Sequence, residues 1–274
     1  MRDHKVQSPV VLITGARTGI GRACADLLVD RGFRVYGTSR HPPDAEFGFT
    51  MLKMDVDYKA SVEAGIRTLL DEAGRLDVVV NNAGFGYGGA VEDTSIEQAK
   101  ATFETNLFGV LRVCQAVLPT MRSQHNGLIV NVSSVGGRVG VPYQGLYCAS
   151  KFAVEGMTET LRMEVKAFGI DVVLIEPGDT CTDFTDNRRP NASSMPASVY
   201  YEQYRETMGR IEEDECNGAP PTLVARTLLR AIRARRPRPR YVAARPFDRA
   251  AVWAKRWLPG SWFEWIVMKN YGLK

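Results

Sequence analysis

Long apolar runs are missing from this sequence, and its few cysteines and histidines follow no ligand pattern. The 274 residues include five cysteines and three histidines, with no CxxC pair. Scattered cysteines in odd number argue against a disulfide framework, and their spacing predicts no metal site. Without a run of about 18 apolar residues we expect no transmembrane helix. The charged start, MRDHKVQSPVVLITG, lacks the apolar core of a signal peptide, so we predict a cytoplasmic protein.

The charge is small overall but unevenly placed. The net charge is +4, and the segment from Arg226 to Arg256 holds eleven Lys/Arg and one acid, +10, which leaves −6 for the rest. A basic segment on an acidic body suits an anionic surface or partner, although a solvated helix face is the interpretation we favour. We predict no nucleic-acid partner.

Short Val/Ile/Leu-rich runs alternate with helical patterns along most of the chain. The predicted strands are PVVLITG, FRVYGTSR, FTMLKMDV, RLDVVVNNAG, GLIVNVSS, IDVVLIEPG and PRYVA. Longer predicted helices include one from roughly Ile96 to Arg122 and one near Ser198–Ile211. Strands of this kind between helices indicate an α/β protein with a doubly wound parallel sheet covered by helices on both faces. We predict one Rossmann-type domain over residues 9–274.

Two segments stand apart from this alternation. Residues 183–217 are polar and interrupted by prolines, which favours a substrate-binding lid. Residues 249–274 form a C-terminal extension that carries all four tryptophans. Helices with Trp and Lys/Arg can lie on membranes. Packing as C-terminal core helices, or over an active site, is the interpretation we favour, so membrane contact stays the alternative.

A glycine-rich turn joins the first strand to the first helix. Gly15, Gly19 and Gly21 in TGARTGIG let the backbone approach a pyrophosphate at a helix N-terminus. The second strand then ends in Ser39 and Arg40, where an acid would suit a ribose hydroxyl and a basic residue suits a 2′-phosphate. Arg17 can reach the same phosphate, because guanidinium groups favour such contacts. We therefore predict NADP(H) rather than NAD(H).

The stretch LYCASK places a tyrosine and a lysine one helical turn apart. Tyr147 and Lys151 share a face if the segment is helical. A free tyrosine has a pKa of about 10, and a nearby ammonium favours the phenolate. This pairing predicts an acid–base catalyst near neutral pH, whereas a buried core phenol is the alternative.

Six motifs in order resemble the short-chain dehydrogenase/reductase superfamily. They are TGARTGIG, NNAG, Asn106, Ser134, YCASK and PGDTCT, between residues 9 and about 184. The segment SSVGGRVGVPYQGLYCASKFAVEG is most similar to the 17β-hydroxysteroid and retinol dehydrogenase branch. Ser133 competes with Ser134 for the catalytic position, and the spacing to Tyr147 favours Ser134.

The resemblance implies a role for each matching residue. Tyr147 exchanges a proton with the substrate oxygen, and Lys151 lowers its pKa and holds the nicotinamide ribose. Ser134 binds the substrate oxygen, and Asn106 holds a water that links the lysine to solvent. The implied cofactor contacts are Gly15, Arg17, Thr18, Gly19, Ile20, Gly21, Ser39, Arg40, Asp55, Val56, Asn82, Ala83, Gly84, Tyr147, Lys151, Pro177, Gly178, Thr180 and Thr182.

The implied activity is reduction of a ketone or aldehyde, or oxidation of the corresponding alcohol. Apolar residues near the site, Val141, Tyr143 and Phe184, predict a lipophilic substrate, either steroid-like, retinoid-like or a secondary metabolite. A 3-oxoacyl thioester reductase and a non-catalytic NADP(H)-binding sensor are the alternatives. The resemblance also implies a homodimer or homotetramer formed through the outer faces of the two helices that carry Asn106 and Tyr147.

Overall fold

The computed structural model describes residues 8–185 and 187–273 and contains a seven-stranded parallel sheet between two helical layers. The strands are β1 (Val10–Ile13), β2 (Arg34–Ser39), β3 (Thr50–Lys53), β4 (Val78–Asn81), β5 (Tyr87–Gly88), β6 (Gly127–Val132), β7 (Ile170–Pro177), β8 (Arg189–Pro190) and β9 (Arg240–Ala243). The helices are α1 (Gly19–Asp30), α2 (Lys59–Ala73), α3 (Ile96–Phe103), α4 (Val110–Gln124), α5 (Gly145–Glu164), α6 (Tyr201–Cys216), α7 (Pro221–Arg233), α8 (Pro246–Trp257) and α9 (Gly260–Asn270).

The strand order places a topological switch at the centre of the sheet. The order is β3-β2-β1-β4-β6-β7-β9, and every neighbouring pair is parallel. The chain winds outward from β1 on one side and then crosses over to β4 on the other. Crevices at such switch points, outside the carboxyl ends of the strands, are where α/β sheets bind ligands.

Each face of the sheet buries its own apolar core, as strands without polar alternation require. On one face, α1 and α7 pack against residues such as Val11, Ile13 and Val130. On the other face, α2, α4 and α5 cover residues such as Leu12, Val79 and Ile129. The predicted single-domain, doubly wound α/β fold is confirmed.

Two helices differ from the sequence-based expectation. The helix predicted to run from Ile96 to Arg122 is continuous to Gln124 but contains a π-helical segment, Glu104–Gly109, between α3 and α4. Helix α6 begins and ends later than the predicted Ser198–Ile211. Its last turn is acidic rather than apolar, so hydrophobic periodicity does not indicate it.

The C-terminal extension folds into two helices, and some of their aromatic side chains are buried while others are exposed. Phe263 is buried, but all four tryptophan side chains in this extension are 61–67% exposed. The extension therefore packs against the molecule through residues such as Phe263, which lines the central cavity, and not through its indole rings. Among the residues described, none of the helices has the length and apolar character needed to cross a bilayer.

Candidate active site

A cavity of about 780 Å³ opens at the carboxyl ends of the central strands. It runs from the glycine-rich turn after β1, past the ends of β4, β6 and β7, to α8 and α9. Of the predicted cofactor contacts, all but Gly21 line it. The sheet topology therefore brings together segments that lie far apart in the sequence, at the position that the switch point predicts.

The glycine-rich turn requires glycine at three of its positions. Gly15 and Gly19 have φ angles of +66° and +58°, which favour glycine. Gly21 lies behind them, and a Cβ added there would collide with the carbonyl oxygen of Gly15. The Thr18 side chain makes no capping hydrogen bond, so the first N–H groups of α1 remain available to an anion. This geometry fits the pyrophosphate of a dinucleotide.

Two arginines stand beside this cradle. Arg17 and Arg40 both line the cavity and are exposed, and neither forms an ion pair with any residue in the described parts of the chain. Ser39 Oγ accepts a hydrogen bond from the His41 amide, which shapes the turn after β2. Asp57, which sequence reasoning missed, also lines this end and accepts a hydrogen bond from Thr105 at 2.8 Å. The guanidinium groups suit a phosphate dianion.

Helix α5 presents the tyrosine and the lysine to the middle of the cavity. The Lys151 ammonium lies 5.8 Å from the centre of the Tyr147 ring and donates to the carbonyl oxygen of Val132 at 3.0 Å. Ser134 follows β6 and lines the cavity beside Tyr147, and its hydroxyl accepts from the Gly136 amide at 3.0 Å. Ser133 also borders the cavity, but it is 3% exposed and its hydroxyl has no hydrogen-bond partner in the described structure.

Burial controls the protonation of this pair. Burial raises the pKa of Tyr147, and the hydroxyl of Ser134 opposes that rise. The pKa of Lys151 is lowered to about 8 by burial, with the Glu155 carboxylate opposing. Sequence reasoning expected Lys151 to lower the pKa of Tyr147. In this geometry desolvation outweighs any such effect, so the phenol is protonated at neutral pH.

Asn106 lies in the π-helical segment, a feature often found at functional sites. Its side chain is fully buried, accepts from the Phe85 amide at 3.0 Å and donates to the Phe85 carbonyl at 2.8 Å. It also donates to Ser150 Oγ at 2.9 Å, and Ser150 in turn donates to the Tyr147 carbonyl. Asn106 does not line the cavity but connects the turn after β4 to the first turn of α5.

A buried charge network, which sequence reasoning also missed, anchors the middle of α5. Arg240 on β9 lies 3.0 Å from Glu155 and 3.2 Å from Glu176, and it also pairs with Glu159. Glu176, on β7, is fully buried and takes a second contact from Arg138 at 3.2 Å. No sequence motif marks these pairs, because they join residues from separate strands and helices.

Two of the three predicted substrate residues line the cavity, and the third lies outside it. Val141 and Phe184 line the cavity, and the Phe184 ring lies 5.5 Å from that of Tyr147. Tyr143 does not line it; its hydroxyl donates to Gln203 at 2.6 Å and ties the loop before α5 to α6. The outer apolar wall instead comes from α8 and α9, through Ala250, Ala251, Ala254, Phe263, Ile266 and Val267.

Comparison with known proteins agrees with this geometry. The sequence pattern described as short chain dehydrogenase matches residues 9–193, and the chain belongs to that family of oxidoreductases. It is 38% identical over 269 residues, 98% of this chain and 100% of the relative, to 3-ketodihydrosphingosine reductase of Bacteroides thetaiotaomicron.

Solved structures of short-chain dehydrogenases also resemble this chain. A short-chain dehydrogenase from Streptomyces avermitilis is 28% identical with a TM-score of 0.79, covering 98% of this chain and 99% of that one. One from Burkholderia phymatum, in complex with NAD, is 27% identical with a TM-score of 0.79, covering 91% and 93%. The resemblance to the superfamily is confirmed; the finer likeness to hydroxysteroid and retinol dehydrogenases is not confirmed by these matches.

Proposed function

We propose that this protein is an NADP(H)-dependent reductase that converts the ketone or aldehyde of a lipophilic substrate into an alcohol, and can catalyse the reverse oxidation. The observation that carries the proposal is the position of Tyr147 beside Ser134 and one turn from Lys151, in a cavity continuous with the glycine-rich cradle. A tyrosine and a lysine with a purely structural role would not need to line such a cavity. Carbonyl reduction, in contrast, requires a proton donor next to the bound dinucleotide.

The protonation of the pair suits reduction. A phenol that keeps its proton at neutral pH is able to donate it to the oxygen of a carbonyl group as negative charge develops there. The Ser134 hydroxyl offers that oxygen a second hydrogen bond, which stabilises the same charge. Lys151 supplies positive charge one helical turn after Tyr147, and its hydrogen bond to the Val132 carbonyl holds the ammonium group in place.

A bound nicotinamide dinucleotide supplies the hydride. Gly15, Gly19 and the N-terminus of α1 would hold its pyrophosphate, and the segment from Pro177 to Thr182 would hold its nicotinamide end. Asp55 and Val56 would border the adenine, and Asn82 to Gly84 the adenosine side. All of these positions except Cys181 line the cavity.

Arg40→Asp should reverse the choice of cofactor. A carboxylate at this position repels a 2′-phosphate and accepts hydrogen bonds from a ribose 2′-hydroxyl instead. We expect the affinity for NADPH to fall about 100-fold and that for NADH to rise, as measured by fluorescence titration of each cofactor. Arg31→Asp, an exposed change at the far end of α1, is the control. An unchanged ratio of the two affinities in Arg40→Asp would contradict the NADP(H) assignment.

The outer part of the cavity supports a long apolar substrate. Its wall is formed by α8 and α9, so residues 249–274 would act as part of the substrate site, together with the lid at 183–217. The relative from Bacteroides thetaiotaomicron is named for a long-chain ketone, and this chain matches its full length. We therefore favour a long-chain ketone over a steroid or retinoid.

The proposed assembly is a homodimer or homotetramer. Phe108, in the π-helical segment, and Phe152 on α5 are 43% and 42% exposed, and an interface would cover them. Lys255 of α8 lies over the Phe152 ring at 5.0 Å, so the C-terminal extension borders the same surface. Sedimentation velocity would measure the assembly directly.

The direct test is NADPH consumption over a panel of ketones and aldehydes, from small and polar to long-chain and steroid-sized. Turnover confined to the lipophilic members supports the proposal. Binding of NADPH without turnover of any member would favour the sensor alternative, and an acyl carrier thioester would be the next substrate to try.

A further inference from the structure

The outer surface of the C-terminal extension carries all of the chain's tryptophans. Trp253 and Trp257 on α8 and Trp262 and Trp265 on α9 are 61–67% exposed. The members of each pair are three or four residues apart, so their rings lie on one face of the helix. The centres of the Trp253 and Trp257 rings are 6.3 Å apart. Large aromatic side chains grouped in this way on a surface mark an interaction site.

The charges on the same two helices are mostly positive. The exposed basic residues are Arg249, Lys255, Arg256 and Lys269. Over residues 246–257 and 260–270, all of which the structure describes, Glu264 is the one exposed acid. Lys255 donates to the Arg138 carbonyl oxygen at 2.6 Å, whereas the other three cations form no ion pair within residues 8–185 and 187–273. Three cations are therefore available to an anionic partner.

Indole rings and cations occupy one surface. On α8, Arg249, Trp253 and Trp257 follow one another at four-residue intervals and so share a helix face. The Arg256 guanidinium lies 5.7 Å from the centre of the Trp257 ring. Lys269 follows the last tryptophan of α9 at the same four-residue interval. Tryptophan combined with Lys/Arg is typical of helices that lie in the interface of a bilayer.

The inner faces of these helices line the cavity. Their lining residues include Ala250, Ala251, Ala254, Phe263 and Val267. Of the described residues that line the cavity, none is a tryptophan. Phe247 and Ile266 also line it, although they are 67% and 45% exposed, so the apolar wall continues to the outer surface. The surface that carries the tryptophans therefore lies next to an opening of the cavity.

A second copy of this chain suits the surface less well than a bilayer does. Two-fold assembly places the same patch of each protomer against the other. Such a contact would bring Arg249, Arg256 and Lys269 towards their own copies, and like charges repel. Phe108 and Phe152 already supply an apolar surface for the proposed dimer. A bilayer with anionic headgroups instead complements the cations and accepts indole rings at its interface.

We propose that the outer faces of α8 and α9 dock on the surface of an anionic phospholipid bilayer. The indole rings enter the headgroup layer, and Arg249, Arg256 and Lys269 bind the lipid phosphates. The inner faces remain on the protein and form the cavity wall. The purpose of this docking rests on the proposed function: a lipophilic substrate dissolved in the bilayer would enter the cavity beside Phe247 and Ile266 without crossing bulk water.

Intrinsic tryptophan fluorescence tests the docking directly, because every indole ring of the chain lies on this surface. The full chain would be titrated with vesicles of phosphatidylcholine alone and with vesicles that contain about a quarter phosphatidylglycerol, in about 0.1 M salt. We expect the anionic vesicles to shift the emission to shorter wavelength, to bind at least about thirtyfold more tightly than the neutral ones, and to quench the emission when their acyl chains are brominated. Equal affinity for the two vesicles, or no spectral change with either, would overturn the proposal.

The same fluorescence signal distinguishes a bilayer from a second copy of the chain. With vesicles absent, we expect the emission wavelength to stay constant as the protein concentration is raised. A shift that grows with protein concentration, together with a larger sedimentation coefficient, would identify a second copy as the occupant and would overturn the proposal.

Trp257→Ala combined with Trp262→Ala should weaken binding to the anionic vesicles at least about tenfold, as measured by sedimentation with sucrose-loaded vesicles. Both rings are exposed, so the fold, followed by circular dichroism, should be retained. Tyr58→Ala is the matched control, because Tyr58 is a 66% exposed aromatic residue directly before α2 that does not line the cavity. Binding that survives in the double variant, or falls equally in the control, would contradict the docking surface.

Arg249→Gln combined with Arg256→Gln should reduce the preference for anionic vesicles at least about tenfold, because each basic residue near such a surface strengthens binding about fivefold. Arg31→Gln, an exposed change at the far end of α1, is the control. A preference that is the same in the double variant as in wild type would show that these cations do not bind the bilayer, and the proposal would be wrong.

These binding measurements involve no turnover, so docking and catalysis are judged separately. A protein that binds the anionic vesicles but oxidises no NADPH with any ketone would fail as a reductase and keep its docking surface. A protein that reduces ketones but binds neither kind of vesicle would keep the proposed activity, and the docking proposal would be overturned.

Discussion

Tyr147→Phe should reduce kcat for carbonyl reduction by at least about 1,000-fold. The change removes the hydroxyl that donates the proton but leaves the ring, which packs against Phe184 at 5.5 Å. Positioned acids contribute about 10²–10⁴-fold to rate, and a water molecule in the place of the hydroxyl would not be held in the same position. The measurement is NADPH oxidation with the best ketone from the panel. Turnover within tenfold of wild type would remove Tyr147 from the catalytic role.

The affinity of Tyr147→Phe for NADPH separates chemistry from folding. We expect it to stay within about threefold of wild type, because the glycine-rich cradle and Arg40 are untouched. Tyr143→Phe is the matched control. It removes a hydroxyl from a tyrosine only four residues away that bonds to Gln203 and lies outside the cavity. Its kcat should remain close to that of wild type.

Arg240→Leu should lower the free energy of unfolding by about 3–5 kcal/mol. Arg240 is the partner of Glu155, which is 6% exposed, and one of two partners of the fully buried Glu176. Removing it leaves carboxylates inside the protein without their counter-charge, and breaking a buried ion pair from one side has a cost of this size. That is a large part of the 5–15 kcal/mol typical of a folded domain.

Urea denaturation would measure this loss against a matched control. Arg236→Leu removes an exposed arginine from the loop before β9 and should change the free energy of unfolding by less than about 0.5 kcal/mol. A deficit in Arg240→Leu of similar size to that control would contradict the structural role of the network.

The loss of unfolding free energy in Arg240→Leu should also depend on pH. Burial raises the pKa of Glu176, with Glu155 adding to the rise and Arg138 and Arg240 opposing it. The folded protein therefore binds this proton more tightly than the unfolded chain, so ionisation of Glu176 costs stability as the pH rises. Without Arg240 that cost grows. We expect the deficit of Arg240→Leu to shrink as the pH is lowered from 8 towards about 5, and a constant deficit would argue against buried charge as its cause.

Much of the fold followed from local patterns. Strand β1, VVLI, is uniformly apolar and β7, IDVVLIEP, is largely so because both faces of the sheet are covered, and this property is visible in the residues themselves. Gly74 ends α2 with a φ angle of +71°, a conformation that favours glycine. Helix α6 was placed less well, because polar contacts such as those of Gln203 with Tyr143 and Glu215 with Arg188, rather than apolar periodicity, hold it in place.

The candidate site also contains features that the sequence predicted and features that only the structure revealed. The spacing of Tyr147 and Lys151, the glycine-rich turn and the Arg40 position lie within short segments, so the sequence alone indicated them. Tertiary structure alone revealed the Arg240 network, the cavity wall formed by α8 and α9 and the position of Tyr143 outside the cavity.

The sequence by itself determined the parallel α/β sheet, the dinucleotide cradle and the pair on α5, because each depends on residues within a few positions of one another. Only the tertiary structure decided which charges are compensated and which residues line the cavity. Those properties depend on desolvation and on distances between residues such as Glu155, Glu176 and Arg240, which lie on different elements and far apart in the chain. The same principle explains Tyr147: its neighbour Lys151 was visible in the sequence, but the burial that keeps its proton was not.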